Sequence, residues 1–144
     1  MKEKTASWLD SSAILALLYG EPGMDIVRQL LEDAEREKAL VYLSAVTLCE
    51  IVSSLIKTHG ESVARDELAL VLTMPVQIDS PARQHCAEAG WLRGSYRLST
   101  ADAIIATQAI AANAELVHKD PEFDQVPGLR HRRLPYKRKS ARRH

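Results

Sequence analysis

Apolar residues come in two rhythms along this chain, short solid blocks and spaced stripes, and the two alternate. Ala6-Ser7-Trp8-Leu9 is a block that ends at Asp10. Ile14, Leu15, Leu17 and Leu18 follow at helical spacing until Gly20-Glu21-Pro22-Gly23 interrupts them. A second helix is expected from about Met24 to Lys38, with Ile26, Val27, Leu30, Leu31 and Ala34 on one face. Leu40-Val41-Tyr42-Leu43 is too short for a helix and reads as a second strand.

Ser44 is placed to cap a helix from about Ala45 to His59, and Gly60 ends it. Its stripe is Leu48, Ile51, Val52, Leu55 and Ile56. Glu61 to about Leu72 reads as another helix, and Pro75 to Asp79 as a third strand. Ser80-Pro81 opens a helix to about Leu92, with Pro in its first turn. Ser99 caps the next, which runs to about Ala112 and is apolar nearly all round, so it is expected to be buried. Glu115 to His118 reads as a fourth strand, Lys119 to Phe123 as a turn, and Leu129 to Leu134 offers an edge strand. Strands alternating with helices predict an α/β fold with a parallel sheet covered on both faces.

Composition narrows the class. The chain has 144 residues, 46% hydrophobic and 26% charged, which suits one soluble domain. Residues 1–136 read as that domain and 137–144 as a basic tail. No apolar run is long enough for a bilayer, and no signal-peptide block follows Met1-Lys2-Glu3-Lys4, so a cytoplasmic protein without a membrane contact is expected. Cys49 and Cys86 lie far apart and read as reduced, structural thiols. The net charge of zero conceals an asymmetry: eight of the 19 Lys and Arg fall in residues 130–144, and all 19 acids precede them. Such a tail fits a polyanion partner, through Arg138, Arg142 and Arg143, or a neutralising contact with the acidic body; a solvated, partly disordered terminus is the plain alternative.

Four acids stand where an acid is awkward. Asp10 closes a buried strand. Glu50 lies in an apolar helix beside a small polar strip that includes Thr47. Asp102 opens the helix expected to be most buried, behind Ser99. Asp120 follows the fourth strand as Asp10 follows the first. Each has a plain reading: a helix cap for Asp10, a rim residue for Glu50, a macrodipole partner for Asp102, a turn former for Asp120. A parallel sheet, however, brings the ends of its strands and the starts of the following helices to one edge. Carboxylates converging there repel one another, and Mg²⁺ or Mn²⁺ is the compensation that an oxygen-only donor set suits.

At these positions the chain resembles the PIN-domain nucleases, and within them the VapC-type ribonuclease toxins of toxin–antitoxin pairs. The matching segments are Leu9-Asp10-Ser11-Ser12-Ala13, Ser44 to Glu50, Leu98 to Ala103 and Leu116 to Phe123. The resemblance implies a three-layer α/β/α sandwich with a mostly parallel sheet of four to five strands. It implies Mg²⁺- or Mn²⁺-dependent endonucleolytic cleavage of RNA, a homodimer, and a cognate antitoxin that blocks the cleft. By match, Asp10, Glu50, Asp102 and Asp120 form the acidic site. Asp10 and Asp102 would be the firmest metal ligands, Asp120 a direct or water-mediated one. Glu50 would position or deprotonate the attacking water, and Ser12 would support the Asp10 turn or reach the metal through water. One position departs from the pattern: His118 stands where the family usually has Thr or Ser. It reads as a partly exposed strand-end histidine, or else as a hydrogen-bond partner of a carboxylate or phosphate oxygen. It puts Asp120 in question, with Asp124 as a nearby acid able to share its role, and together with the basic tail it motivates the alternative of a catalytically impaired RNA- or protein-binding module of the same fold.

Overall fold

Trp8 and Leu9 are neighbours in the chain and enter different cores. They end β1 (Thr5–Leu9), and successive strand residues point to opposite faces. The computed structural model describes residues 4–136; the tail from 137, with Arg138, Arg142 and Arg143, lies outside the described residues. Five strands form one sheet in the order β3-β2-β1-β4-β5, with β2 at Ala39–Ser44, β3 at Gln77–Asp79, β4 at Glu115–His118 and β5 at His131–Arg133. Every pairing is parallel.

One face of the sheet packs Leu9, Val41, Leu43 and Val117 against α1 (Ser11–Tyr19), α2 (Met24–Glu35), α3 (Ala45–His59) and α4 (Glu61–Leu72). The other packs Trp8 and Leu116 against α5 (Arg83–Ser95), α6 (Thr100–Ala111) and Phe123. This is the three-layer α/β/α sandwich, with five parallel strands. Trp8 lies opposite Tyr42 in register and the rings stack at 5.2 Å. Among the described residues no helix is long and apolar enough to cross a membrane.

Several boundaries differ from expectation. The second helix stops at Glu35 rather than Lys38, because Glu37 turns left-handed (φ 58°) to lead the chain into β2. The third strand loses Pro75 and Val76, whose neighbourhood is a turn closed by Val76 N–H to the Met74 carbonyl. Pro81 lies before α5 rather than in its first turn: Ala82 is the N-cap, its own amide donating to His85 Nδ1. Cys49 and Cys86 are free, in keeping with reduced thiols, but both are exposed rather than packed in a structural role. Part of the basic stretch is in the sheet, where Arg132 pairs with Glu115 at 3.0 Å and Arg133 with Asp124.

Candidate active site

The chain leaves β1 for β2 and β3 on one side, and β4 and β5 lie on the other. The sheet therefore reverses its order between β1 and β4, where open α/β sheets hold their ligands. Asp10 follows β1 and Asp120 follows β4. The Asp10 amide donates to the Val117 carbonyl at 3.0 Å, tying the two strand ends together.

Two serines bring in the acids carried on helices. Ser44 ends β2 and caps α3 by accepting the Val46 N–H at 3.2 Å, which puts Glu50 in the second turn. Ser99 caps α6 by accepting the Asp102 N–H at 3.0 Å. Capping residues satisfy amides that a helix leaves unpaired in its first turn, and so fix where it starts. A buried network supports both helices: the Ser44 hydroxyl donates to Gln108 Oε1 at 2.6 Å, and Gln108 Nε2 donates to the Asp79 carbonyl at 3.2 Å.

The result is two overlapping groups. Oxygens of Asp10, Glu50 and Asp102 lie within 4.8 Å of one another, and so do those of Asp102, Asp120 and Glu122. Asp102 is common to both. Asp10 is only 5% exposed. The Ser12 hydroxyl donates to its Oδ2 at 3.0 Å, while its Oδ1 and Glu50 Oε1 are buried without a partner. Although Asp10 occupies the N-cap position of α1, its carboxylate makes no cap hydrogen bond.

The protonation chemistry follows from this crowding. Burial pushes the Asp10 carboxyl up, Ser12 offsets part of that rise, and Asp120 adds to it. Burial, then repulsion from Asp10 and Asp102, raises Glu50 to about 7. Burial, then repulsion from Asp10 and Asp120, raises Asp102 to about 7. Charge is costly here unless a cation compensates it. An all-oxygen donor set with two orphaned, buried oxygens fits a hard divalent cation.

The remaining expected residues divide. Ser12 touches Asp10 and also accepts the Lys119 N–H at 3.0 Å, bridging both strand ends. Thr47, one helical turn before Glu50, is fully buried with its hydroxyl unpartnered. Asp124 pairs with Arg133 and lies 3.8 Å from His131, outside the group that holds Asp120. The acid beside Asp102 and Asp120 is instead Glu122, which the sequence reading passed over. It sits on the 3-10 turn Pro121–Gln125, whose first amide acceptor is Asp120 Oδ1, at 2.9 Å from the Glu122 nitrogen. Its signal was its position two residues after Asp120, in a turn set by Pro121. His118 is fully buried, not partly exposed at a strand end. Burial, then the neighbouring His131, lowers it to about 4.

Comparison with known proteins places this geometry in context. The family model for the PIN domain matches residues 8–129. No curated protein matches the chain by sequence. Among solved structures, the chain is similar to one in the Rickettsia felis VapBC2 complex bound to a promoter DNA fragment. That match has 21% identity and a TM-score of 0.75, over 91% of this chain and 100% of the other. A chain of DNA-bound VapBC from Salmonella typhimurium gives 17% identity and a TM-score of 0.72, over 91% and 98%. VapC20 from Mycobacterium tuberculosis, a toxin that cleaves the sarcin–ricin loop, gives 19% and 0.61, over 78% and 87%. At these identities the likeness is one of fold.

Proposed function

The chain belongs to the PIN-domain family, and on that premise we propose that it is a divalent-metal-dependent endoribonuclease, the VapC-type toxin of a toxin–antitoxin pair. One observation carries the reading: Asp10, Glu50 and Asp102, from three separate elements, converge within 4.8 Å with buried oxygens left unpaired. Structural ion-pair acids would have found cations in the chain.

Asp10 and Asp102 would hold Mg²⁺ or Mn²⁺, with Asp120 contributing directly or through a water. When bound, the ion polarises the scissile phosphate and eases deprotonation of water. Glu50, beside Asp10 and Asp102, would orient the attacking water or take its proton. Ser12 holds Asp10, and Ser99 sets the start of α6 beneath Asp102. Asp124, bound to Arg133, takes no part.

RNA is favoured as substrate by the similar toxin that cleaves the sarcin–ricin loop. The VapBC complexes among the similar structures support a cognate antitoxin as partner. The proposal extends to a homodimer acting in the cytoplasm, to residues 1–136 as the nuclease domain, and to Arg138, Arg142 and Arg143 of the tail as RNA contacts. The alternative of a catalytically impaired module rests on His118 and the basic tail. His118 leaves all four acids in place and hydrogen-bonds the backbone of one of them, so it does not favour impairment, and a basic tail serves a nuclease as well as a binding module.

Purified protein with Mg²⁺ or Mn²⁺ is expected to cut structured RNA in preference to DNA, and Asp10→Asn to abolish cutting. Equal cleavage by the wild type and the variant would sink the assignment.

A further inference from the structure

His118, Asp124 and His131 bring two ring nitrogens and a carboxylate oxygen within 4.8 Å of one another, outside the acid cluster. The composition suggests a second metal site. The hydrogen bonds say otherwise. The Asp120 backbone N–H donates to His118 Nδ1 at 3.0 Å, so that nitrogen must offer a lone pair. In a neutral imidazole the proton then sits on Nε2. Nε2 lies 2.9 Å from His131 Nδ1, which therefore accepts. A metal on Nε2 would require the proton on Nδ1, pointing at another N–H. The imidazolium fails for the same reason.

We propose that His118 is a positioning residue for Asp120: its Nδ1 anchors the Asp120 amide, and His131 locks the ring in the tautomer that makes this contact possible. The ring is fixed on its other sides. It packs edge-on against Phe123, with centroids 4.8 Å apart, and the His118 carbonyl takes the Leu134 N–H at 2.7 Å. Downstream, the anchored Asp120 accepts the Glu122 N–H through its own Oδ1. Two successive contacts, each spanning two residues, thus run from His118 to Asp120 to Glu122. They set the backbone that presents both acids to Asp102. The same span suits a short side-chain acceptor in a turn of the Asx or hydroxyl kind. His118 supplies that acceptor from a buried ring, and β5 supplies the histidine that orients it.

The inference rests on the metal-binding reading of the acid cluster, and the experiment separates the two. Long-range ¹H–¹⁵N spectra of the full chain read the His118 tautomer directly, and Mn²⁺ titration reads the site. The Nε2–H tautomer is expected. His118→Leu keeps the bulk and removes the acceptor, and should weaken Mn²⁺ binding roughly tenfold or more. His118→Asn keeps an acceptor two residues before the amide. It should recover most of that loss, although it gives up the contacts with His131 and Phe123 and is the less stable variant. An Nδ1–H ring, or Leu and Asn variants whose Mn²⁺ affinity follows stability alone, overturns the inference. A wild type that shows the Nε2–H ring but binds no Mn²⁺ overturns the metal reading instead.

Discussion

The Ser12 hydroxyl donates to Asp10 Oδ2 at 3.0 Å, and Ser12 Oγ itself accepts the Lys119 amide N–H at 3.0 Å. One side chain thus orients the first acid of the cluster and staples it to the end of β4. Ser12→Ala frees the Asp10 carboxylate to rotate and leaves an inward amide unpaired. The expected cost is about 1–2 kcal/mol in denaturant unfolding, with Mn²⁺ affinity falling roughly tenfold. Unchanged affinity would show that Ser12 only staples.

Gln108 sits in a helix of Ala and Ile and is 2% exposed. Its Oε1 accepts the Ser44 hydroxyl and its Nε2 donates to the Asp79 carbonyl, coupling α6 to the cap of α3 and to β3. Gln108→Leu would leave the buried Ser44 hydroxyl without its acceptor and the Asp79 carbonyl without its Gln108 donor. Unfolding free energy should fall by about 2–3 kcal/mol, read by urea denaturation, with a loss of cooperativity between the two site-bearing helices. A neutral outcome would show that water replaces the amide.

The crowded acids make the metal-free protein sensitive to alkali. Glu50 and Asp102 hold their protons to about 7 when folded, against 4.5 and 3.8 when unfolded. The folded state binds more protons in that window, so the stability this contributes is present below the unfolded values and lost as pH rises through 7. His118 acts oppositely: lowered from 6.5 to about 4, it removes stability as pH falls below 6.5. The acids therefore dominate above pH 6.5. In EDTA, Tm should fall from about pH 6.5 to pH 8. Saturating Mn²⁺ should flatten the slope, and Asp102→Asn should melt above wild type at the alkaline end while losing the Mn²⁺ effect. A Tm that rises across this range would contradict the cluster.

Arg132 and Arg133 are engaged with Glu115 and Asp124, so they do not serve a polyanion freely. Five basic residues remain in 137–144. If these contact RNA, deleting 137–144 should weaken binding and flatten its dependence on salt, since each phosphate contact releases counterions. Filter binding at several salt concentrations measures the slope. An unchanged slope would remove the tail from the interface.

How legible all this was in the sequence differs by residue. The blocks ending at Leu9, Leu43 and His118, and the caps Ser44 and Ser99, placed the sheet and the helix starts, because burial imposes the rhythm and capping is local. Asp10, Glu50 and Asp102 stood out as acids in apolar surroundings. The burial of His118 was also readable: two residues from Leu116 in a strand, it shares that residue's face and meets Phe123. Glu122 was not, because its aim depends on a 3-10 turn closed by Asp120. Gln108 was not either, since its partners lie 64 and 29 residues away in the chain. Long-range hydrogen bonds leave no local periodicity to read.

The proposed chemistry requires that Asp10 and Asp102 hold a divalent cation beside Glu50. Anomalous diffraction at the manganese edge, from crystals of the full chain soaked in Mn²⁺, tests it most directly. A peak within coordinating distance of the Asp10 and Asp102 carboxylates, absent from Asp102→Asn crystals, is the predicted result. No peak there, or one that persists in the variant, would contradict it.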